Sequence, residues 1–300
     1  MNGTTPTRWR WLLRNRKLTV GLAIVGFFVL VAIVGPLLID DPDRITNDAL
    51  VAPSATHWLG TTNTGQDVFT QLIASTRGSM TIGAVVGLLA TVVSVVIGVA
   101  GGFVAGRTDE ALSLFSNVFL VLPTLPLVIL ITDYVDAGGV LIVGLVIALT
   151  SWAGSARVLR AQTLSLRRRD YVDAARVSGE PAWRIIVFEI LPNLLPIIAA
   201  QFVFAVIGGI LTQAALAFLG LGGANSWGTM LYFALSGQAL SLGAWWWFVP
   251  PGLCIAVLGA GLSLINFSID ELINPRLRLA RHDRRARKRE RWAAGEGGAA

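Results

Sequence analysis

The chain has 300 residues, 54% of them hydrophobic and only 14% charged, with ten tryptophans and a mean hydropathy of +0.67. A soluble domain carries roughly 25% charged residues, so this composition excludes a soluble globular enzyme or binding module and indicates an integral membrane protein. The net charge of +6 gathers at the ends, where Arg8, Arg10, Arg14, Arg16 and Lys17 precede the first apolar stretch and Arg276 to Arg291 follow the last; such flanks have a topological cause, so no nucleic-acid partner is called for.

Uncharged stretches run from Leu18 to Ile39, Gly78 to Gly106, Ala111 to Thr132, Ala137 to Ala156 and Ile190 to Ile269. A membrane-spanning helix needs about 20 residues. The last stretch is too long for one helix, and the turn-forming residues between Gly220 and Gln238 divide it into spans near 191–215 and 245–268. The expectation is an all-α membrane protein of six spans. The first stretch has a basic start but exceeds the length of a secretory signal's apolar region and lacks a small-residue cleavage site, so it reads as a retained span.

If the spans alternate, the basic N-terminus, Arg107, the arginine-rich segment from Arg157 and the basic C-terminus fall on one side, which the positive-inside rule makes cytoplasmic. The expected organisation is a basic N-terminus at 1–17, a first span at 18–39, an extracytoplasmic segment at 40–77, a core of five spans at 78–269 with a cytoplasmic loop at 157–190 between spans four and five, and a basic tail at 270–300. The outer segment is long enough to hold structure of its own, with an interfacial helix expected from Asp67 to Ala74.

Within span two, Gly98, Gly102 and Gly106 recur every four residues, with Gly83 and Gly87 upstream. This small-residue spacing lets helix backbones approach closely in lipid. Pro123 and Pro126 should break or kink span three, an arrangement tolerated where protein or a water-filled cavity receives the freed carbonyls. They are therefore candidates for lining a pathway, or else a structural kink.

The expected spans contain no charged residue, which disfavours ion-coupled secondary transport, where ionisable groups lie within the bilayer. Neither Lys17 nor Lys288 follows a glycine, so a phosphate-binding G-x-x-x-x-G-K-[ST] loop is absent and any energy from ATP must come through another chain. His57 and His282, the only histidines, fall on opposite sides of the expected membrane, which leaves no two-histidine metal site and little basis for acid–base catalysis. The single Cys254 has no partner for an intrachain disulfide and reads as a small buried hydrophobe.

The segment from Arg157 to Pro192 is polar yet patterned. Asp170 is placed to N-cap a helix with Asp173 three residues on, Gly179 to stop it in a left-handed conformation, and Pro181 to open a second short helix ending before Pro192. Ala174 and Ala175 would let a partner surface come close, with Arg176 and Arg184 on exposed faces. An ordinary amphipathic connector is the alternative reading.

Asp173-Ala-Ala-Arg-Val-Ser-Gly179, followed by Glu189-Ile190-Leu191-Pro192-Asn193, resembles the EAA loop of the membrane subunits of bacterial ABC importers. The outer stretch from His57-Trp-Leu-Gly through Gly65-Gln-Asp67 resembles the C-type subunits of the dipeptide, oligopeptide and nickel branch. So do Ala215-Leu-Ala-Phe-Leu-Gly-Leu-Gly222, Ser226-Trp-Gly-Thr-Met230 and Asn274-Pro-Arg-Leu-Arg278. Asp173 stands where Glu is commoner, and Glu189 where relatives often have His.

The resemblance implies a non-enzymatic permease subunit of the bacterial inner membrane. Asp173, Ala174, Ala175, Arg176, Gly179, Leu191 and Pro192 would then form the ATPase-docking site. Its implied partners are a second homologous permease, two ATPase subunits or a fused ATPase, an extracytoplasmic substrate-binding protein and membrane lipid. ATP and Mg would be bound by the ATPases, with no cofactor in this chain. The implied function is import, for example of di- or oligopeptides, with ATPase closure coupled to alternating access. An ATP-independent transporter or channel, or an assembly protein without transport activity, are the competing classes.

Overall fold

A computed structural model describes residues 15–104, 106–134, 139–221 and 225–273. Most of the basic N-terminus, Asp136, Gly222, the Asn274-to-Arg278 motif and the basic tail lie outside the described residues. The described residues are all helical apart from loops and one isolated bridge between Thr61 and Asp67. In chain order the helices are α1 (Arg16–Leu38), α2 (Val68–Val104), α3 (Gly106–Val121), α4 (Thr124–Tyr134), α5 (Val140–Ser151), α6 (Ala153–Leu166), α7 (Asp170–Val177), α8 (Ala182–Ile185), a π-helical turn (Ile186–Ile190), α9 (Leu191–Phe218), α10 (Trp227–Ser236) and α11 (Trp245–Ile273).

Four continuous helical stretches are long and apolar enough to cross a membrane: α1, α2, the run from Ala182 to Phe218, and α11. Two further spans are obtained if each of two bent pairs counts as one: α3 with α4, bent by 84°, and α5 with α6, bent by 45°. The expected spans three and four are thus broken rather than straight. At the first break Pro123 follows a bend at Leu122 and has no N–H to extend α3. At the second, the hydroxyls of Thr150 and Ser151 donate to carbonyls in their own preceding turn, and Ser94 of α2 donates to the Trp152 carbonyl at 2.7 Å. Such side-chain competition for helix carbonyls bends helices. The buried Trp152 ring holds the corner against Phe115 and Phe119 of α3.

Helix α2 has 37 residues, a length of about 55 Å, and packs against α1, α5, α6 and α9. Its small residues decide which neighbour sits where. A Cβ on Gly98 would stand 2.5 Å from the Ala156 carbonyl of α6, and one on Gly102 would stand 2.8 Å from the Arg160 carbonyl. Gly83 and Gly87 receive Ile210, Val206 and Phe202 of α9. Gly106, grouped with these by spacing, lies beyond the helix end at a φ of +66°, with nothing near its Cβ position; it serves the turn into α3.

The expected interfacial helix at Asp67–Ala74 is the uninterrupted first part of α2. Asp67 caps it by accepting from the Thr70 N–H at 2.8 Å, and its other carboxylate oxygen lies 2.8 Å from His57 Nδ1. The preceding segment is ordered by backbone bonds from Leu50 to Thr62 and from Thr61 to Val51, and the Trp246 indole donates to the Thr61 carbonyl at 3.2 Å, joining this lobe to α11.

The stretch after α9, expected as loop, contains α10 with a capping box between Ser226 and Thr229. Threonine in place of Glu or Gln at the third helical position hides that box from the usual pattern. Cys254 is half-buried beside the core cluster around Trp227 and Leu258, rather than fully enclosed. Gly35 of α1 packs on Ile73 at the start of α2, and Lys17 at the start of α1 pairs with Glu271 near the end of α11 at 2.9 Å. α1 therefore runs antiparallel to α2, and its beginning and the end of α11 lie together away from the start of α2.

Replacing Gly98 with valine should force α2 and α6 apart and cost about 1–3 kcal/mol. Gly154→Ala, where nothing lies near the new Cβ, should be neutral or slightly stabilising. Thermal unfolding of the purified chain in detergent distinguishes the two, and equal losses would contradict the close α2–α6 packing.

Candidate functional site

The segment resembling an EAA loop folds into α7, a glycine turn, α8 and the π turn. Arg169, in an extended conformation, occupies the N-cap position of α7 and makes no side-chain cap. This corrects the expectation for Asp170: it is the first helical residue, and with Asp173 it places negative charge in the first turn, where the helix dipole favours it. Asp173 pairs with Arg176 one turn on, at 2.8 Å, rather than completing a capping box.

The expectation for Gly179 matches the geometry. Its φ is +79°, its N–H donates to the Arg176 carbonyl, and the next N–H, of Glu180, reaches back to Ala175 at 3.1 Å. This is the two-bond Schellman closure that glycine makes inexpensive.

The second helix does not end before Pro192. Pro192 has no N–H to offer the preceding turn, and there the helix widens: the Leu191 N–H reaches Ile186, and the Asn193 side chain donates to the Glu189 carbonyl at 2.7 Å. The π turn thereby carries α8 into α9 as one run from Ala182 to Phe218. The glycine turn is linked to a long helix on one side and to a single short helix on the other.

Two kinds of contact hold this unit at the C-terminal end of α2. Val172, Ile185, Ile190 and Leu194 are buried against Val99, with Ala175 and Leu191 packed around them; full burial of one such side chain contributes about 1.5–3 kcal/mol. Arg167 donates to the Phe103 carbonyl at 3.2 Å, one of the last carbonyls of α2 that lack a helical partner, and the Arg176 guanidinium lies 5.5 Å from the centre of the Phe103 ring. Nearby, Arg160 of α6 forms a two-point ion pair with Asp109 of α3, its Nη2 2.8 Å from Oδ2, and Arg157 donates to Asn117. The broken α3–α4 pair is therefore tied to the helix that leads directly into α7.

With Val172 and Ile185 turned inward, Asp173, Ala174, Arg176 and Gly179 are exposed. Two exposed apolar side chains join them: Val177, 90% exposed, and Trp183, 63% exposed. Sequence reasoning passed over both; their signal was an apolar residue beside the helix-stopping glycine and an aromatic in a polar segment. Leu191 and Pro192 open α9; Leu191 packs against the cluster beneath the surface, and Pro192 is exposed. Pro123 and Pro126 belong to a different region, the break between α3 and α4, and are exposed on the single chain beside Val121, Leu122 and Leu125. Among the described residues no group of three His, Cys, Asp or Glu side chains is arranged to hold a metal ion.

Comparison with known proteins adds an independent finding. Residues 94–279 match the family described as binding-protein-dependent transport system inner membrane component, and residues 7–53 match the N-terminal TM domain of oligopeptide transport permease C. The chain is 32% identical to the dipeptide transport system permease protein DppC of Bacillus subtilis over 282 residues, 91% of this chain and 86% of the relative. It is 32% identical to the oligopeptide transport system permease protein OppC of the same organism, over 88% of this chain and 87% of the relative. The probable D,D-dipeptide transport system permease protein DdpC of Escherichia coli is 31% identical over 89% of this chain and 90% of its own length.

The Asp109–Arg160 pair joins residues 51 apart in the chain, and removing one partner leaves the other charge partly enclosed. Asp109→Ala and Arg160→Ala should each lower stability by about 1–3 kcal/mol, and the double variant should lose less than the sum. A cycle of melting measurements in detergent reads the coupling; additive losses would show that the pair contributes nothing as a pair.

Proposed function

The chain belongs to the family of binding-protein-dependent transport system inner membrane components, and from that membership we propose that it is a permease subunit of an ATP-driven importer for di- or oligopeptides. The observation that carries the mechanism is the exposed surface of Ala174, Val177, Gly179 and Trp183, presented by α7, the glycine turn and α8, whose inner faces are packed on the end of α2. A small protruding surface with low side-chain bulk and two apolar anchors suits insertion into a groove of a partner ATPase, with Asp173 and Arg176 at its rim. The seven arginines between Arg157 and Arg184 favour placing this end, and with it both chain termini, in the cytoplasm.

In this reading two ATPases, or one fused ATPase, bind and hydrolyse ATP with Mg, a second homologous permease completes the pathway, and an extracytoplasmic binding protein delivers the cargo. Closure of the ATPases moves α7. Leu191 and Pro192 pass the displacement into α9 through the π turn, Arg167 and Arg176 pass it to α2, and the Asp109–Arg160 pair passes it to the α3–α4 break. Pro123 and Pro126 at that break would then line the pathway, where irregular backbone is tolerated beside a water-filled cavity. The helices rock as rigid bodies between inward and outward access. Peptide cargo is supported by the names of the relatives.

In proteoliposomes with the partner subunits, Gly179→Pro should remove the turn and Val177→Asp should put a charge at the contact. Each should reduce ATP-dependent peptide uptake at least tenfold, with loss of ATPase co-purification for Val177→Asp. Uptake that persists without ATP, or that both variants leave intact, would overturn the docking mechanism.

A further inference from the structure

At the opposite end of α2 from the docking surface, a cavity of about 470 Å³ opens between the lobe before α2, the first turns of α2, α10 and the start of α11. That volume falls within the range of small-molecule sites, about 300–1,000 Å³. Among its lining residues the only charged side chain is Asp43; the rest of its polar character comes from amides, hydroxyls and an indole. Several of these groups are unspent. Ser75, 4% exposed, and Trp247, 2% exposed, are buried in its wall, and the Trp247 indole N–H has no hydrogen-bond partner. The side chains of Asn63, Ser75, Asn225 and Ser236 likewise make no hydrogen bond within the described residues.

Buried polar groups are ordinarily paired, and an unpaired one costs about 1–3 kcal/mol. The Trp247 N–H is one such group, and the Ser75 hydroxyl with the exposed side chains of Asn63, Asn225 and Ser236 gives a ligand further neutral hydrogen-bonding partners. Amides and hydroxyls both donate and accept without charge, which matches the alternating N–H and C=O groups of a peptide main chain and leaves side-chain identity unread. Asp43 can meet one free amino group.

We propose that this cavity is a transient binding site for the main chain of a short peptide on its way to the permease pathway. The proposal rests on the reading of the cargo as a peptide. The walls come from four separate segments of the chain: the lobe, α2, α10 and α11. Neutral hydrogen bonds exchange readily with water, which suits passage better than retention. A backbone segment of the binding protein offers the same amide chemistry and is the competing source.

The test uses the complete importer in proteoliposomes at saturating binding protein, with trialanine as the transported probe. Ser75→Ala removes the hydroxyl with little change of volume, and Asn63→Ala, at the exposed rim, serves if Ser75→Ala fails to fold. The expected result is a KM for trialanine raised about tenfold with a smaller change in maximal rate, while the peptide-free binding protein docks with its wild-type affinity. Weakened docking of the peptide-free binding protein with an unchanged KM would overturn the proposal and assign the cavity to that protein. Unchanged KM and unchanged docking would overturn the site while leaving the permease reading intact. Absence of trialanine uptake by the wild-type assembly would overturn the peptide reading and the site with it.

Discussion

A helix that meets its neighbours through backbone atoms rather than through flexible side chains has almost no freedom to slide or tilt independently, because a displacement of a few tenths of an ångström becomes a clash. Helix α2 is in that position along most of its length: Gly78 lies against the Asn225 carbonyl, Gly83 and Gly87 against α9, and Gly98 and Gly102 against carbonyls of α6. In lipid, where apolar side chains gain nothing by leaving one another's company for the bilayer, this close packing is the principal source of association between helices. The result is a strut that connects the ordered outer lobe, capped at Asp67, to the unit formed by α7, α8 and the π turn.

The two ends of the strut are finished in different ways. At its N-terminus a carboxylate caps the helix and is itself held by His57. At its C-terminus the orphan carbonyls are met by Arg167, an arginine of the segment that carries α7. That second arrangement ties the end of α2 to the segment that leads into α7. The Asp109–Arg160 pair extends the connection to α3, whose partner α4 departs at 84°. The α7 unit is therefore tied to α2, α3 and α9, and not only to the helices adjoining it in sequence.

Local signals were well expressed in the chain. Gly179 stops α7 in the conformation its position requires, since only the residue's own φ and two nearby carbonyls are involved. Pro123 breaks span three for an equally local reason. The N-cap is not decided locally, because Asp170 and Arg169 are adjacent and either can precede the helix; the carboxylate sits in the first turn, where dipole attraction substitutes for a cap. Pro192 is a local signal for a helix end, but the π turn and the Asn193 amide accommodate the missing donor. Helix α10 is hidden in the sequence because threonine completes its capping box and its Gly-rich approach resembles a loop.

From residue order alone follow the membrane class, the apolar stretches, the clustering of arginines before α7, the glycine-stopped short helix and the motifs of the permease family. Each depends on composition or on residues within a few positions of one another. Tertiary structure alone decided that Val172 and Ile185 turn inward, leaving Val177 and Trp183 to form the exposed surface, that Arg160 meets Asp109, and that Ser94 reaches the bend at Trp152. It also decided that Asn63, Ser75, Asn225 and Trp247 share one cavity. These arrangements join residues tens to well over a hundred positions apart, and they exist only because glycines along α2 set the distances between helices that the local sequence of any one helix does not contain.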